Sequence, residues 1–196
     1  MPRPALDLPP HQVPLRDTAA RYGRVTRVLH WTMAALILWE FTGMGLRLLL
    51  GRHPVSSFFV GSHQAVGTVL LALIVLRVIW ALANLGRRPH HGAGLVATGA
   101  RIGHGLLYLL MLAVPSLAVL RAYGSDRPWG PFGFEIFPAR EAPVEWMVQA
   151  GSLLHGELAW VMGALIVGHV IMVGIHEAMW RDGTLDRMIR RRRRQA

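Results

Sequence analysis

The chain has 196 residues, of which 53% are hydrophobic and only 16% are charged, whereas a soluble domain carries about 25% charged residues. In a soluble protein the formal net charge of +10 would point to nucleic acid, but beside long apolar stretches it indicates arginines that orient a membrane protein and contact anionic lipid. The composition therefore excludes an ordinary water-soluble domain, and we expect a lipid bilayer, and no nucleic acid, as a partner.

The chain begins with a tail at residues 1–20 that is rich in proline and polar residues. We expect this tail to be irregular, because its composition does not match a packed element. A cleaved signal peptide is not predicted, since the apolar stretch that follows is too long for one. We place the folded domain at residues 21–189 and a second, basic tail at residues 190–196.

Four apolar segments follow one another, at residues 28–50, 63–84, 102–122 and 152–178. Each approaches or exceeds the ~20 residues that a membrane-spanning helix needs. The first link between them is short, the second is basic and glycine-rich, and the third carries aromatic residues that suit an interfacial loop or short helix. The predicted fold class is all-α, an integral membrane four-helix transmembrane bundle.

The arginines are distributed unevenly about these segments. The residues before the first segment and after the fourth, together with the second link, hold fifteen arginines, whereas the first and third links with the adjoining segment ends hold five. Short cytoplasmic segments of membrane proteins carry the excess of basic residues. We therefore expect a multi-pass protein whose N- and C-termini are both cytoplasmic.

Four histidines fall at matching depths in this topology. His155 and His169 are fourteen residues apart, so they leave nearly the same face of one helix about 21 Å apart along its axis. In an alternating bundle His63 shares the outer level with His155, and His30 shares the cytoplasmic level with His169. Ionisable side chains inside a membrane face the protein interior and mark functional sites.

Two histidine pairs at two levels are what two haem irons with imidazole on both faces require. Zinc is less suitable, because it takes about four ligands at one point. The chain has no cysteine, which excludes a covalently attached haem, cysteine-ligated iron–sulfur clusters and disulfides. The sequence thus predicts His30, His63, His155 and His169 as axial ligands of two haem irons.

Arg77 and Glu40 are the charged residues placed deepest in the predicted spans. Arg77 follows His63 by fourteen residues, so it shares that face near the cytoplasmic level. It either pairs with a haem propionate or extends to the interface, and the sequence does not decide between these. Glu40 belongs either to a proton path to a quinone or to a satisfied interior contact.

Other residues near the predicted sites carry two interpretations each. His104 and His176 are interpreted mainly as interfacial or propionate-contacting groups, with a ligand role as the alternative. Small residues beside the ligand positions admit either a macrocycle or a neighbouring helix; these are Gly67, Gly156 and Gly163. Interfacial arginines either contact a propionate or quinone or extend to the lipid surface; these are Arg27, Arg101 and Arg121.

Six blocks of the sequence resemble, in order and spacing, the prokaryotic cytochrome b561 family: "RYGRVTRVLHWT", "GSHQAVGT", "RIGHGLLYLLMLAVP", "DRPWGPFGF", "HGELAWVMGALIVGHV" and "MWRDGTLDRMI". The resemblance covers residues 21–189 and departs in the two tails. It implies a bacterial inner-membrane cytochrome with two haems b, whose axial histidines fall on His30, His63, His155 and His169. It also implies electron exchange with ubiquinone, and superoxide oxidation is one activity of the family.

The sequence therefore predicts a membrane oxidoreductase that passes single electrons between two haems b and the ubiquinone pool, with superoxide as a candidate donor. One alternative is a cytochrome b subunit that anchors a hydrogenase or dehydrogenase and receives electrons from a partner redox protein. A further alternative is a haem-free transporter or membrane adaptor, for which the four histidines would be dispensable.

Overall fold

Four long helices form the chain in a computed structural model that describes residues 13–89 and 94–189. They are α1 (Arg24–Leu50), α2 (Pro54–Ala83), α3 (Leu95–Gly124) and α4 (Glu145–Ile175). Each is long and apolar enough to cross a membrane. The all-α four-helix transmembrane bundle predicted from the sequence is confirmed. The expectations for the first twelve residues and for the basic tail at residues 190–196 lie outside the described residues.

The turn between α1 and α2 is shorter than the apolar pattern indicated. α2 begins at Pro54, nine residues before the predicted segment, because His53 caps it. The His53 side chain accepts a hydrogen bond from the backbone of Val55, and Ser56 accepts one from the backbone of His53. Proline at the first helical position costs no hydrogen bond, since that N–H is unpaired in any helix. His63 consequently lies in the third turn of α2.

The last two helices also extend beyond the predicted segments. α3 begins at Leu95 and α4 at Glu145, so part of each link is helical. The remainder of the third link is a loop in which Trp129 and Phe137 pair through their backbones and stack 5.2 Å apart. α4 ends in a π-helical turn, His176–Trp180. The bundle therefore has one face at which α1 begins and α4 ends, the termini face, and an opposite face that carries the first and third links, the link face.

Large apolar side chains are exposed along every helix rather than collected in one core. Leu38, Val69, Leu109 and Val170 are examples from the four spans. Such a surface is unstable in water but suits lipid. The small buried core of Met33, Leu70 and Ile74 fills the space between α1 and α2.

Glycines make room for the side chains or backbone of a neighbouring helix at three places. A Cβ added to Gly43 would lie 2.7 Å from Phe59 Cβ, and one added to Gly163 would lie 2.8 Å from Phe41 Cε1. At Gly151 it would lie 2.6 Å from the Leu117 carbonyl oxygen. In lipid there is no hydrophobic driving force between helices, so this close van der Waals contact stabilises the bundle.

Polar contacts between helices supplement this packing. Trp39 Nε1 on α1 donates to Ser62 Oγ on α2 at 2.8 Å, and Trp80 Nε1 on α2 donates to Thr26 Oγ1 on α1 at 2.9 Å. Hydrogen bonds of this kind contribute about 0.6–2 kcal/mol each in membranes. They also fix the register of α1 against α2, which sets the heights of the histidines on those helices.

Hydrogen bonds and an ion pair at the termini face link the segment before α1 to the segment after α2, and link α1 to the segment after α4. Asp17 is buried and accepts hydrogen bonds from Gly23 N (2.8 Å) and Thr26 Oγ1 (2.6 Å), and its other oxygen pairs with Arg88 Nε at 3.2 Å. On the other side of α1, the carbonyl of Met188 accepts from Arg27 Nε at 2.9 Å. The start of α1 is thereby held by both flanking segments.

Candidate cofactor site

The histidines predicted to lie at the outer level meet near the link face. The rings of His63 on α2 and His155 on α4 have centroids 5.9 Å apart. Both side chains point between the helices, and the His63 side chain retains 34% of its exposure. The partial exposure reflects a cavity beside the rings.

Each of these two rings has its Nδ1 engaged. His155 Nδ1 lies 2.9 Å from the carbonyl oxygen of Val114 on α3, and His63 Nδ1 contacts Glu40 Oε2 on α1. A carbonyl can only accept, so Nδ1 of His155 carries the proton and its Nε2 is an unprotonated donor for a metal. Metal-bound histidines generally donate their other N–H to a carbonyl or a carboxylate in this way.

The cavity beside these rings has about 910 Å³ of empty space, part of which is open to the surroundings. Cavities that hold cofactors and ligands are mostly apolar with a few polar groups. The wall includes Phe41 and Met44 from α1, Pro115 from α3, Met162 from α4 and Trp129 from the third link. A large flat apolar group therefore fits beside the His63–His155 pair, with Trp129 at its link-face edge.

Two further features of this cavity agree with a group bound in it. Glu40 Oε1 is buried, and within residues 13–89 and 94–189 it has no hydrogen-bond partner. Gly67, one turn after His63, lines the cavity, and a Cβ there would meet no atom within 4 Å. A macrocycle placed against the backbone at Gly67 would use this space.

Three histidines lie together near the termini face. The ring of His169 on α4 is 6.4 Å from that of His30 on α1 and 5.4 Å from that of His104 on α3, measured between centroids. His30 and His169 are thus brought together as the depth argument predicted. The His104 ring lies beside the His169 ring and not apart from the pair, so the alternative role of His104 as a ligand stays open.

Ring spacing distinguishes these combinations. A metal–imidazole bond of about 2.0–2.1 Å, with the nitrogen ~1.1 Å from the ring centre, puts two imidazoles on opposite sides of one ion with centres roughly 6.3 Å apart. The His30–His169 spacing of 6.4 Å and the His63–His155 spacing of 5.9 Å fit this value better than the 5.4 Å between His104 and His169. Both pairs therefore have about the ring spacing of two imidazoles that share one metal ion.

Arg77 lies inside the bundle at the His30 level. Its Nη1 is 3.1 Å from His30 Nδ1, and its Nε donates to the hydroxyl of Tyr108 at 3.0 Å. The guanidinium carbon also lies 5.3 Å from the centre of the Tyr108 ring. The side chain thus turns inward and does not extend to the lipid surface, which places its positive charge where a haem propionate could pair with it.

The other predicted residues lie away from the two pairs. His176 Nδ1 is 2.6 Å from Asp182 Oδ2, and the His176 ring contacts Trp180. Arg101 Nη2 donates to Thr98 Oγ1, whereas Arg27 donates to the Met188 carbonyl. These contacts favour structural roles at the termini face.

The remaining predicted positions differ among themselves. Arg121 lies in the last turn of α3 and packs its Cβ toward Gly151. Gly163 serves the crossing of α1 and α4 and not a macrocycle, since Phe41 occupies the space beside it. A Cβ at Gly156 would meet no atom within 4 Å. Of the three glycines singled out in the sequence, Gly67 is the one that lines the cavity.

Sequence reasoning missed two groups that orient the site. The carbonyl of Val114 carries no side-chain signal, although Pro115 marks the helix turn that contains it. Tyr108 lies seven residues before Pro115, two turns away, and holds Arg77. A tyrosine that faces an arginine of a neighbouring span was detectable only once the register of α2 and α3 was known.

Comparison with known proteins gives a consistent family. The sequence profile of the family described as prokaryotic cytochrome b561 matches residues 21–191. The chain is 29% identical to "Cytochrome b561 homolog 2" of Escherichia coli K12, over 88% of this chain and 93% of that protein. It is 23% identical to "Probable superoxide oxidase CybB" of Yersinia pestis, over 84% and 93%. It is 28% identical to "Cytochrome b562" of Cereibacter sphaeroides, over 87% and 96%.

Proposed function

The chain belongs to the prokaryotic cytochrome b561 family of membrane cytochromes b, and on that premise we propose that it carries single electrons across the bilayer between two haems b. In this proposal His63 and His155 hold the haem near the link face, and His30 and His169 hold the one near the termini face. The observation that carries it is the presence of two histidine pairs, one at each end of α4, with ring spacings of 5.9 and 6.4 Å.

The bound haems would supply the one-electron chemistry, and the protein's part is to ligate, orient and insulate them. Val114 and Glu40 hold the tautomers of His155 and His63 so that both Nε2 atoms face the cavity. Arg77 places a cation beside His30 for a propionate. Apolar side chains such as Met162 and Phe41 exclude water from the cavity, which limits reorganisation when charge changes.

The arginine distribution supports a cytoplasmic termini face and an outer link face in the bacterial inner membrane. Electron transfer between the two levels would then run across the membrane. The separation of His155 and His169 along α4, about 21 Å by helix rise, supports one site in each leaflet.

We further propose ubiquinone as the electron acceptor and superoxide as a donor at the link face. The first draws on the family and the second on the name of the Yersinia pestis relative. The first and third links with the adjoining helix ends hold five arginines against four acids, so the link face has a small excess of positive charge, which would attract a small anion. Reduction of the purified oxidised protein by superoxide, and its reoxidation by ubiquinone, test these assignments. The donor assignment fails if ubiquinol reduces the haems and superoxide does not.

Haem content per chain tests the central proposal. We expect two haems b in the purified protein and one in each of four variants in which a single predicted ligand becomes alanine. His53→Ala is the matched control, because His53 is an exposed helix cap, and it should retain both haems. One haem or none in the unaltered protein, or four variants that all retain two, would overturn the proposal.

The three-histidine cluster requires its own comparison. His104→Ala should retain two haems, whereas His30→Ala should lose one, because the ring spacing favours His30. The reverse result would move the ligand role from α1 to α3 and leave the two-haem proposal intact.

A further inference from the structure

We propose that Glu40 and Arg77 give the two haem levels different redox potentials, lower at the His63–His155 pair and higher at the His30–His169 pair. An electron would then pass downhill from the link face to the termini face. This inference rests on the two-haem function proposed above and adds a direction to it.

Glu40 lies beside one histidine pair and nowhere near the other. It comes from the middle of α1 and contacts Nδ1 of His63, while its side chain keeps only 13% of its exposure. With iron on Nε2, Nδ1 must carry the proton and donate it to Glu40. A carboxylate acceptor makes the imidazole more basic, and a more basic ligand stabilises ferric over ferrous iron. Glu40 therefore lowers the potential at this level.

No opposing charge offsets Glu40 within the described part of the cavity. Among the described residues that line the cavity, Glu40 is the one acid and there is no arginine. His155 there donates to the uncharged carbonyl of Val114. Because Glu40 Oε1 has no partner among residues 13–89 and 94–189, the carboxylate charge is not shared with a second donor.

The other pair has a charge of opposite sign. Arg77 Nη1 lies 3.1 Å from His30 Nδ1, and with iron on His30 Nε2 both of these nitrogens carry protons, so Arg77 acts on this level through its positive charge and not through a hydrogen bond to His30. Tyr108 holds the guanidinium at this level through its hydroxyl and its ring. A nearby cation favours the reduced iron, which carries one positive charge less. Arg77 therefore raises the potential at the His30–His169 level.

The step is balanced between the two sites. With haems bound at both levels, His63 and His155 would hold the one that gives up a single electron and His30 and His169 the one that accepts it, with no proton or bond exchanged. Glu40 and Arg77 contact ligands and not reactants, so they act as positioning and tuning residues.

A redox titration of the purified two-haem protein tests this inference. Glu40→Gln keeps an acceptor oxygen for His63 and removes the charge, so the potential of the link-face haem should rise. We expect at least a tenfold change in its ratio of reduced to oxidised haem at a fixed potential, equivalent to ~59 mV for one electron. Leu38→Ala is the matched control, because Leu38 is on the same helix and faces lipid; it should change neither potential. His63→Ala should lose the link-face haem, so the potential that is missing in this variant belongs to the link face and the remaining one to the termini face.

Arg77→Gln tests the same inference at the other level and does so even if Glu40→Gln fails to fold. It should lower the potential of the termini-face haem and leave the other unchanged. Two haems whose potentials do not respond to either substitution would overturn this inference and leave the proposed function standing. Fewer than two haems in the unaltered protein would overturn both. A link-face haem with the higher potential would also overturn the inference.

Discussion

Nδ1 of His155 on α4 donates a hydrogen bond to the carbonyl oxygen of Val114 on α3, 2.9 Å away. This bond fixes the imidazole tautomer and leaves Nε2 unprotonated, on a ring whose centre lies 5.9 Å from that of His63. The Val114 carbonyl thereby orients His155 on one side of the cavity, as Glu40 orients His63 on the other. The pair is thus oriented before any cofactor binds, and the consequences can be tested at the surrounding residues.

Gly67 provides the space for a planar group beside this pair. We expect Gly67→Leu to remove the haem at the His63–His155 level and to retain the other, because the new side chain would fill the cavity and nothing lies within 4 Å of its Cβ to divert it. Absorbance of the reduced protein, normalised to protein concentration, should fall to about half, as the two-haem proposal requires.

Gly61→Leu is the control for this substitution. Gly61 is on the same helix, is exposed, and has open space around its Cβ, yet it lies outside the cavity wall. It should keep full haem content. Equal haem content in both variants would show that the cavity does not receive the macrocycle.

The contrast between Gly67 and Gly163 shows what could be predicted from the sequence. Length and hydropathy predicted four helices, because the ~30 Å apolar layer demands about 20 apolar residues in each. Helix periodicity placed His155 and His169 on one face, since a helix is rigid over fourteen residues. Whether a glycine faces a cofactor or a helix depends on the relative rotation of neighbouring helices, and sequence periodicity does not contain that rotation.

The partners of the histidines were unpredictable for the same reason. Glu40 and His63 meet because Trp39 and Ser62, one residue before each, fix the register of α1 against α2. The sequence identified Glu40 as an interior acid but did not assign it to His63. The start of α2 was also predicted too late, because the cap at His53 depends on side-chain rotamers and not on hydropathy.

The crossing of α1 and α4 depends on the absence of a side chain at Gly163. We expect Gly163→Val to lower the free energy of unfolding by about 1–3 kcal/mol, because its Cβ would approach the Phe41 ring to 2.8 Å and the core would be overpacked. Thermal unfolding in detergent, followed by loss of helical circular dichroism, measures this change.

A second substitution separates overpacking from helix propensity. Phe41→Leu should restore much of the stability lost in Gly163→Val, since the smaller side chain clears the contact. Gly174→Val is the control on α4, where a Cβ meets no atom within 4 Å, and it should change stability little. If Gly174→Val is as destabilising as Gly163→Val, close packing at this crossing is not the cause.

Asp17 ties the N-terminal segment to the bundle. Asp17→Ala should destabilise the protein by about 3–5 kcal/mol, because Arg88 would lose its ion-pair partner and the donors of Gly23 and Thr26 would be left unpaired. The unfolding midpoint of the variant, compared with that of Asp126→Ala at an exposed position, measures the effect. Similar midpoints for the two variants would show that the buried network contributes little.

The C-terminal segment carries the clearest pH dependence outside the membrane. Partial burial would raise the pKa of Asp182, but hydrogen bonds from Thr184 and His176 outweigh it and lower the pKa to about 2. The unfolded carboxyl has a pKa near 4, so the unfolded chain takes up the proton first as pH falls. The stability from Asp182 is therefore fully present above about pH 4 and is lost as pH falls toward about 2.

Comparison with Asp182→Asn isolates this contribution from other titrating groups. Above about pH 4 the variant should unfold more easily by no more than about 1 kcal/mol, because the Asp182 side chain is 39% exposed and solvent screens the pair. The difference between the two proteins should shrink as pH falls from about 4 and vanish below about 2. Thermal midpoints taken at intervals across this range measure it. A difference that stays constant with pH would show that Asp182 acts through shape and hydrogen bonding, and that its charge contributes nothing to the stability of the segment after α4.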